Sequence, residues 1–200
     1  KAAQAARKAD AKAFKNYIID DNQEKIEYLL MNGYHISTDD INLAIEHEKT
    51  NIALYLINLV DDVAIINTNF NTPLIGAVKK DNFKIVKLLL DQGADPNLPN
   101  KRGVSLLIEA NKKGNFEIVK LLLNKGADPN LPNKQGELPL VEAGKKGNFD
   151  IVKLLLDQGA NPELEDNKSM NIIKIAKIKG YTKELTELLK QDKDPKMQKG

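Results

Sequence analysis

A short phrase of sequence recurs three times in this chain at a spacing of 33 residues. The copies begin at Asn82, Asn115 and Asn148, each contains Ile-Val-Lys-Leu-Leu-Leu, and each is followed by a Gly-Ala pair. A fixed period of this size is typical of a solenoid, in which one unit cannot bury its apolar face alone and packs on its neighbours. The period therefore predicts a stack of similar units in place of a conventional globular core.

One complete unit spans residues 67–99. Thr72 and Pro73 predict the start of a helix, because threonine can cap free N–H groups and proline at the first helical position loses no hydrogen bond. Asn82 predicts the cap of a second helix, and Gly93 predicts the left-handed residue that ends it. Prolines in the next segment prevent a further helical turn. The unit is therefore predicted to be a helix, a turn, a second helix and an extended loop.

This pattern resembles the ankyrin repeat. In the repeat at residues 67–99, the resemblance is carried by these residues: Thr72-Pro73-Leu74, Ala77, Ile85-Val86, Leu89-Leu90 and Gly93-Ala94-Asp95 with Asn97. Most of these positions recur in the next two units. The resemblance implies an all-α repeat solenoid, made of stacked helix-turn-helix units whose extended loops form β-hairpin-like fingers.

The same resemblance predicts one domain over residues 1–190, followed by a polar tail at 191–200. Its predicted parts are N-terminal cap helices at 1–34, a degenerate repeat at 35–66, full repeats at 67–99, 100–132 and 133–165, and a C-terminal cap repeat at 166–190. Terminal repeats are expected to be degenerate because one of their faces meets water. The chain has no initiator Met, so we expect it to be part of a larger protein.

Two departures from the family pattern carry expectations of their own. The family usually has a histidine after Thr-Pro-Leu that links neighbouring loops by hydrogen bonds, but Ile75, Ile108 and Val141 stand there. We therefore expect the cohesion between repeats to be apolar. In the repeat at residues 133–165, Leu138 takes the place of the capping threonine. The missing cap is expected to destabilise the first helix of that repeat by about 1 kcal/mol.

The residue inventory predicts neither an enzyme nor a metal or cofactor site. Cysteine is absent, which excludes disulfides and thiolate ligands, and we expect His35 and His47 to be structural or solvent-facing. Residues 144–148 read Gly-Lys-Lys-Gly-Asn, but they lack the strand and the Gly-Lys-Ser/Thr order of a phosphate-binding loop. We assign this segment to the turn between paired helices.

Composition also bears on location. The apolar runs are shorter than the 18 or so residues that cross a bilayer, so no membrane span is predicted. The lack of cysteine is compatible with a reducing compartment. We therefore expect an intracellular, cytoplasmic protein, and delivery into a host cell as an effector stays open as an alternative.

In the ankyrin family the partner surface is usually the concave side, formed by the loop tips and the inner faces of the first helices. Carrying those positions over to this sequence gives the following predicted partner-binding residues: Asn69, Asn71, Lys79, Lys80, Lys101, Arg102, Val104, Lys112, Lys113, Lys134, Gln135, Glu137, Lys145, Lys146, Lys168, Met170 and Lys179.

A lysine pair recurs among these positions, at 79–80, 112–113 and 145–146. The formal net charge is only +2, so the position of the lysines matters more than their number. One interpretation is a basic ladder that attracts an acidic protein segment. The other is that lysines favour the negative end of a helix dipole and that duplication copied them.

The sequence as a whole predicts a monomeric protein–protein interaction module with an acidic segment as the candidate partner. Two alternatives stay open: a binder of polyanions, such as nucleic acid or anionic lipid, and a structural spacer. Nucleic acid ranks below protein, because the candidate face offers one arginine and almost no aromatic side chain on which bases could stack.

Overall fold

A computed structural model describes residues 2–60, 73–100 and 103–191, with side chains from 8–60, 73–100 and 103–190. The chain divides into two compact units, Lys1–Asp95 and Pro96–Gly200, which are taken in turn below. Within the described ranges every regular element is an α-helix. This agrees with the predicted all-α repeat solenoid.

The first unit contains three helix pairs. Their bounds are α1 Ala2–Ile19, α2 Gln23–Met31, α3 Thr38–Glu46, α4 Thr50–Asn58, α5 Pro73–Lys79 and α6 Phe83–Asp91. The two helices of each pair pack on each other. The pairs also stack, since α3 packs on both α1 and α5 while α4 packs on α6.

The second unit repeats this arrangement with three further pairs. Their bounds are α7 Leu106–Lys113, α8 Phe116–Asn124, α9 Pro139–Lys146, α10 Phe149–Asp157, α11 Ile172–Lys179 and α12 Thr182–Gln191. Here the first helices of the pairs, α7, α9 and α11, stack in that order, and the second helices α8 and α10 pack side by side. Below, α7, α9 and α11 are called the first helices, and α8, α10 and α12 are called the second helices.

The repeated phrase builds the core of each pair. In α8 the side chains of Ile118, Val119 and Leu122 are fully buried. Their spacing of one and three residues places them on one face of a helix, so a single turn of sequence supplies a continuous apolar stripe. The equivalent residues of α6 and α10 are buried in the same way.

The predicted helix ends are confirmed where the structure describes them. The first helix of the repeat at 67–99 begins at Pro73, as predicted. The predicted cap, Thr72, lies outside the described residues. The side chain of Asn82 accepts a hydrogen bond from the Ile85 N–H at 3.2 Å and so caps α6. Gly93, which follows that helix, has a φ of +88°, in the left-handed region that favours glycine.

Leu138 precedes α9 without a side-chain cap, as predicted. The leucine is nevertheless only 6% exposed, so the position that lacks a cap contributes apolar burial to the core. Pro139 then stands at the start of the helix, where its missing N–H costs nothing. Burial therefore offsets part of the expected loss of about 1 kcal/mol from the missing cap.

The assignment of the whole 144–148 segment to a turn is wrong. Gly144 lies inside α9, and only Gly147, with a φ of +76°, forms the left-handed end of the helix. A Cβ on Gly144 would collide with the Ile172 side chain and would lie 2.7 Å from the Tyr181 hydroxyl. Tyr181 Oη donates a hydrogen bond to the Gly144 carbonyl at 3.0 Å, and burial raises the pKa of this tyrosine to about 12. Glycine is therefore needed here because the last helix pair approaches α9 so closely.

The expectation that cohesion between repeats is apolar is also wrong for the second unit. Asn97 bridges one loop to the next, since its amide donates to the Gly126 carbonyl at 2.8 Å and accepts from the Asp128 N–H at 2.8 Å. One repeat later Asn130 makes the equivalent two bonds, to the Gly159 carbonyl and from the Asn161 N–H. Loop asparagines thus supply a polar network of the kind that the family's histidine usually supplies.

Candidate functional site

The structure describes thirteen of the seventeen predicted partner-binding residues. The other four, Asn69, Asn71, Lys101 and Arg102, lie outside the described residues. Lys79 and Lys80 belong to the first unit, where both are exposed at the end of α5. The rest lie in the second unit, in the loop tips and in the last turns of the first helices.

Three loop tips precede the first helices of the second unit; the structure describes residues 100, 103 and 104 of the first tip, and residues 133–137 and 166–170 of the other two. Each tip starts with an Asn or Asp whose side-chain oxygen accepts hydrogen bonds from backbone N–H groups of the same tip. Asn100 accepts from Val104 at 3.0 Å, and Asn133 accepts from Gln135 and Glu137 at 3.0 and 2.9 Å. These short polar side chains mimic a backbone turn and fix the shape of each tip.

The last tip has the same construction with an aspartate. Asp166 Oδ1 accepts from the Lys168 and Met170 N–H groups at 2.8 and 3.0 Å. The Asp166 N–H in turn donates to the Met170 carbonyl at 2.8 Å. The tip is therefore closed by a hairpin-like pair of backbone groups, as the resemblance implies, even though no strand is assigned within the described ranges.

Successive tips are joined by backbone hydrogen bonds. The Lys134 N–H donates to the Gly103 carbonyl at 3.0 Å, and the Asn167 N–H donates to the Gly136 carbonyl at 3.1 Å. Both glycines have positive φ, and a Cβ on Gly136 would lie 2.7 Å from the Asn167 Cβ. Each tip therefore rests directly on a glycine of the tip before it, and the predicted residues of neighbouring tips are held side by side.

In the second unit, the two lysines of each pair have different environments. The first member of each pair is half-buried and forms ion pairs within the surface. Lys112 Nζ lies 2.8 Å from Glu137 Oε2, while Lys145 Nζ lies 2.7 Å from Glu142 Oε1 and 3.1 Å from Asp166 Oδ2. Glu137 and Asp166 belong to the tip of the following repeat, so these lysines tie one repeat to the next.

In the first unit it is the second member of the pair that is engaged. Lys80 Nζ lies 3.0 Å from Glu48 Oε1, which belongs to the preceding repeat. Both side chains are more than a third exposed, so this ion pair contributes little to stability. Lys79 has no ion-pair partner among the described residues.

The environment of Glu137 favours its charged form. The hydrogen bond from Lys112 lowers the pKa of Glu137, and this outweighs the effect of burial, which raises it. A hydrogen bond from Asn133 lowers the pKa further. The pKa of Glu137 is therefore lower than that of an ordinary glutamate.

Asp166 and Lys145 stabilise each other's charge. Burial alone would raise the pKa of Asp166 and lower that of Lys145. Hydrogen bonds to Asp166 from two backbone N–H groups and from Lys145 outweigh burial, so its pKa is lowered. Hydrogen bonds to Glu142 and Asp166 likewise leave the pKa of Lys145 raised. A carboxyl group with a lowered folded pKa contributes stability above about pH 4 and loses it as the pH falls through that folded pKa.

The second member of each pair is exposed. Lys113 and Lys146 are the last residues of α7 and α9, and Lys179 is the last residue of α11. All three are exposed, and none has an ion-pair partner among the side chains that the structure describes. Lys134, Gln135 and Lys168 are exposed at the tips, while Val104 and Met170 are half-buried. Fewer lysines are therefore free to bind a partner than the recurring lysine pairs of the sequence predicted.

Sequence reasoning missed the residues that shape this surface. Asn100, Asn133 and Asp166 close the tips, although their spacing of 33 residues was a signal that could have identified them. Glu137 was predicted as a partner-binding residue, whereas in the structure its carboxylate is already bound to Lys112. Nothing in the sequence pattern alone indicates which lysine of each pair finds a carboxylate.

The remaining candidate chemistry of the sequence concerns the two histidines, metal binding and a membrane span. Both His35 and His47 are exposed. Within the described residues, no three His, Asp or Glu side chains are placed so that they could hold a metal ion. In the same ranges, none of the helices combines the length and the apolar character that a membrane crossing requires.

Comparisons with known proteins agree with the repeat architecture. A family model described as "Ankyrin repeats (3 copies)" matches residues 13–100, 87–166 and 106–199. A crystal structure at 1.00 Å resolution, of an ankyrin repeat domain from Acinetobacter baumannii AYE, is similar with a TM-score of 0.77 and 27% sequence identity. The similarity covers 90% of this chain and 97% of that one. Among curated proteins, none matches the sequence at a significant level.

Ankyrin repeats are generally protein–protein interaction modules and are typically not enzymes. The three overlapping matches together extend over most of the sequence, from residue 13 to residue 199. The stacked helix pairs, the tips and the left-handed glycines of the structure agree with that match. This chain belongs to the ankyrin repeat family.

Proposed function

We propose that this chain is a protein-interaction module that binds an acidic segment of a partner on the tips and first helices of its second unit. The observation that carries the proposal is the distribution of free charge on this surface. Glu137, Glu142 and Asp166 are all engaged by lysines of the same surface. The cations that are left exposed, at the tips and at the helix ends, are positioned to attract and orient an acidic ligand.

The shape of the surface supports a protein ligand. The tips are fixed by their Asn and Asp side chains and by the bonds between tips, so little conformational entropy is lost when a partner binds. Neighbouring positions such as Val104 and Met170 are half-buried and apolar, which suits a protein segment. We further propose that the module acts as a monomer and as part of a larger protein.

A polyanion binder is the second candidate function. The exposed lysines are compatible with it, but the tips carry no aromatic side chain on their described residues. Single-stranded nucleic acid is usually held by stacking on such side chains. The two functions also differ in salt dependence, which is steep and uniform for a polyanion.

Capture from a lysate with charge-reversed variants tests the proposal. The site variant has four exposed lysines of the tips and first helices changed to Glu, at Lys113, Lys134, Lys146 and Lys168. The matched control has four exposed lysines of the second helices changed to Glu, at Lys120, Lys153, Lys183 and Lys190. We expect a nuclease-treated lysate to yield proteins that the native chain and the control retain and that the site variant retains about tenfold less.

Two results would contradict this proposal. Equal retention by the native chain and the site variant would mean that the exposed lysines do not bind the partner. Retention that disappears after nuclease treatment would identify nucleic acid as the ligand. Circular dichroism of both variants shows whether the substitutions leave the helices intact.

A further inference from the structure

Each first helix of the second unit ends in a lysine followed by a left-handed glycine. The pairs are Lys113-Gly114, Lys146-Gly147 and Lys179-Gly180, and the three glycines have φ values of +77°, +76° and +82°. Because the backbone is the same at each helix end, the three lysines start from equivalent positions. They are exposed and free of ion pairs among the described residues.

The residue before each of these lysines offers no free positive charge to a ligand. Lys112 and Lys145 are bound to carboxylates of their own surface. The third equivalent position holds Ile178, which is 71% exposed and uncharged. The row formed by Lys113, Lys146 and Lys179 therefore presents one exposed cation from each of three equivalent positions.

The spacing of this row follows from how the helices pack. Since α9 packs on both α7 and α11, the three lysines belong to three adjacent helices. Packed helices lie about 8–10 Å apart. A ligand that pairs with the whole row must therefore place a carboxylate about every 8–10 Å on one of its faces.

A polyproline II segment meets that requirement with the shortest period. In a polyproline II segment, three residues make one turn and advance about 9 Å, so every third side chain lies on the same face. A β-strand points residues i and i+3 to opposite faces, and its same-face residues are about 7 or 13 Å apart. An α-helix advances about 5–6 Å per turn and reaches about 10.5 Å only after two turns, so its carboxylates would have to recur at every seventh residue.

We infer that the acidic segment bound by this chain is extended, with polyproline II character, and carries Asp or Glu at every third position opposite Lys113, Lys146 and Lys179. This inference rests on the proposed function and specifies its ligand. Two carboxylates, Glu117 and Asp150, lie in the first turns of the helices that follow α7 and α9. Neither forms an ion pair with Lys113, Lys146 or Lys179 within the described residues.

A spacing series of synthetic peptides tests the inference. Three capped peptides of identical composition carry three glutamates among proline and alanine, placed at every second, every third or every fourth position. Their affinity for the full chain is measured by fluorescence anisotropy at low and at physiological salt. We expect the every-third peptide to bind at least about fivefold more tightly than the other two.

Single substitutions identify the lysines involved. Changing the central lysine, Lys146→Gln, should weaken the every-third peptide about 3- to 5-fold, which is the usual contribution of one exposed ion pair. The control Lys153→Gln, on a second helix of the same repeat, should leave the affinity unchanged. An unchanged affinity in the Lys146 variant would overturn the inference.

The outcomes separate this inference from the proposed function. If the three peptides bind equally and all weaken in Lys146→Gln, the spacing is wrong while an acidic ligand on this surface is retained. If no peptide binds, the inference is overturned, and lysate capture by the site variant then decides the proposed function on its own. If the every-third peptide binds best and depends on Lys146, both stand.

Discussion

Replacing Asp166 with alanine is expected to destabilise the chain by about 2–4 kcal/mol. The Asp166 side chain is only 1% exposed, and it accepts hydrogen bonds from two backbone N–H groups and from Lys145. Alanine would leave those N–H groups without their partner in the last tip, and such losses are costly when the groups are buried. Urea denaturation followed by circular dichroism measures the effect.

The chain itself suggests the matched control, Asp166→Asn. The two equivalent tips start with Asn100 and Asn133, whose side-chain oxygens accept the same type of backbone N–H bond. Asparagine should therefore keep the tip closed and lose only the interaction with Lys145, at a cost of about 1 kcal/mol. A loss in the asparagine variant as large as in the alanine variant would mean that the charge, and not the turn, is what Asp166 supplies.

The same pair of proteins has an expected pH dependence. The pKa of Asp166 is lower in the folded chain than its ordinary value, so the charge contributes stability above about pH 4 and loses it as the pH falls further. The difference in unfolding free energy between the native chain and Asp166→Asn should therefore be largest near neutral pH and should shrink in acid. A difference that stays constant down to pH 3 would contradict the lowered pKa of Asp166, which the backbone N–H groups of Met170 and Lys168 and the Lys145 side chain produce together against burial.

Gly136→Ala is expected to destabilise the chain by about 2–3 kcal/mol. Gly136 has a φ of +71°, and a Cβ there would lie 2.7 Å from the Asn167 Cβ, which cannot move without displacing the next tip. The third equivalent position is Ser169, with a φ of +54°, so a side chain is accepted at the last tip. The requirement for glycine at 136 therefore comes largely from the tip that rests on it.

Gly147→Ala is the control that separates strain from collision. Gly147 has a φ of +76°, close to that of Gly136, but a Cβ there would meet nothing within 4 Å. Its substitution should cost only the left-handed conformation, about 1 kcal/mol. Equal losses of unfolding free energy in the two variants would rule out a close approach between tips.

The repeat period was sufficient to predict the helix pairs, because each apolar stripe and each capping residue is local in sequence. Asn82, Pro73 and Gly93 act through neighbours within a few residues, and all three have the predicted role. What the sequence could not provide is contact across repeats. The role of Gly144 depends on Ile172 and Tyr181, which lie one repeat away, and so it was misplaced in a turn.

In the candidate site, too, local features could be predicted from the sequence, whereas contacts between repeats could not. Its residues were predicted by carrying over positions from a family pattern, which treats both members of a lysine pair alike. Whether a lysine is free depends on which residue the next tip presents, and that differs between repeats: Glu137 binds Lys112, whereas Asp166 binds Lys145. The structure therefore reduces the predicted basic ladder of the second unit to the exposed lysines at the helix ends and tips.

Amide hydrogen exchange of the chain, measured alone and in complex with a captured partner, tests the proposed binding surface most directly. The tips at 133–137 and 166–170 and the helix ends around Lys113 and Lys146 should gain protection when the partner binds. The outward parts of α8, α10 and α12 should be unchanged. Protection confined to those second helices, with none at the tips or at the ends of the first helices, would contradict the account.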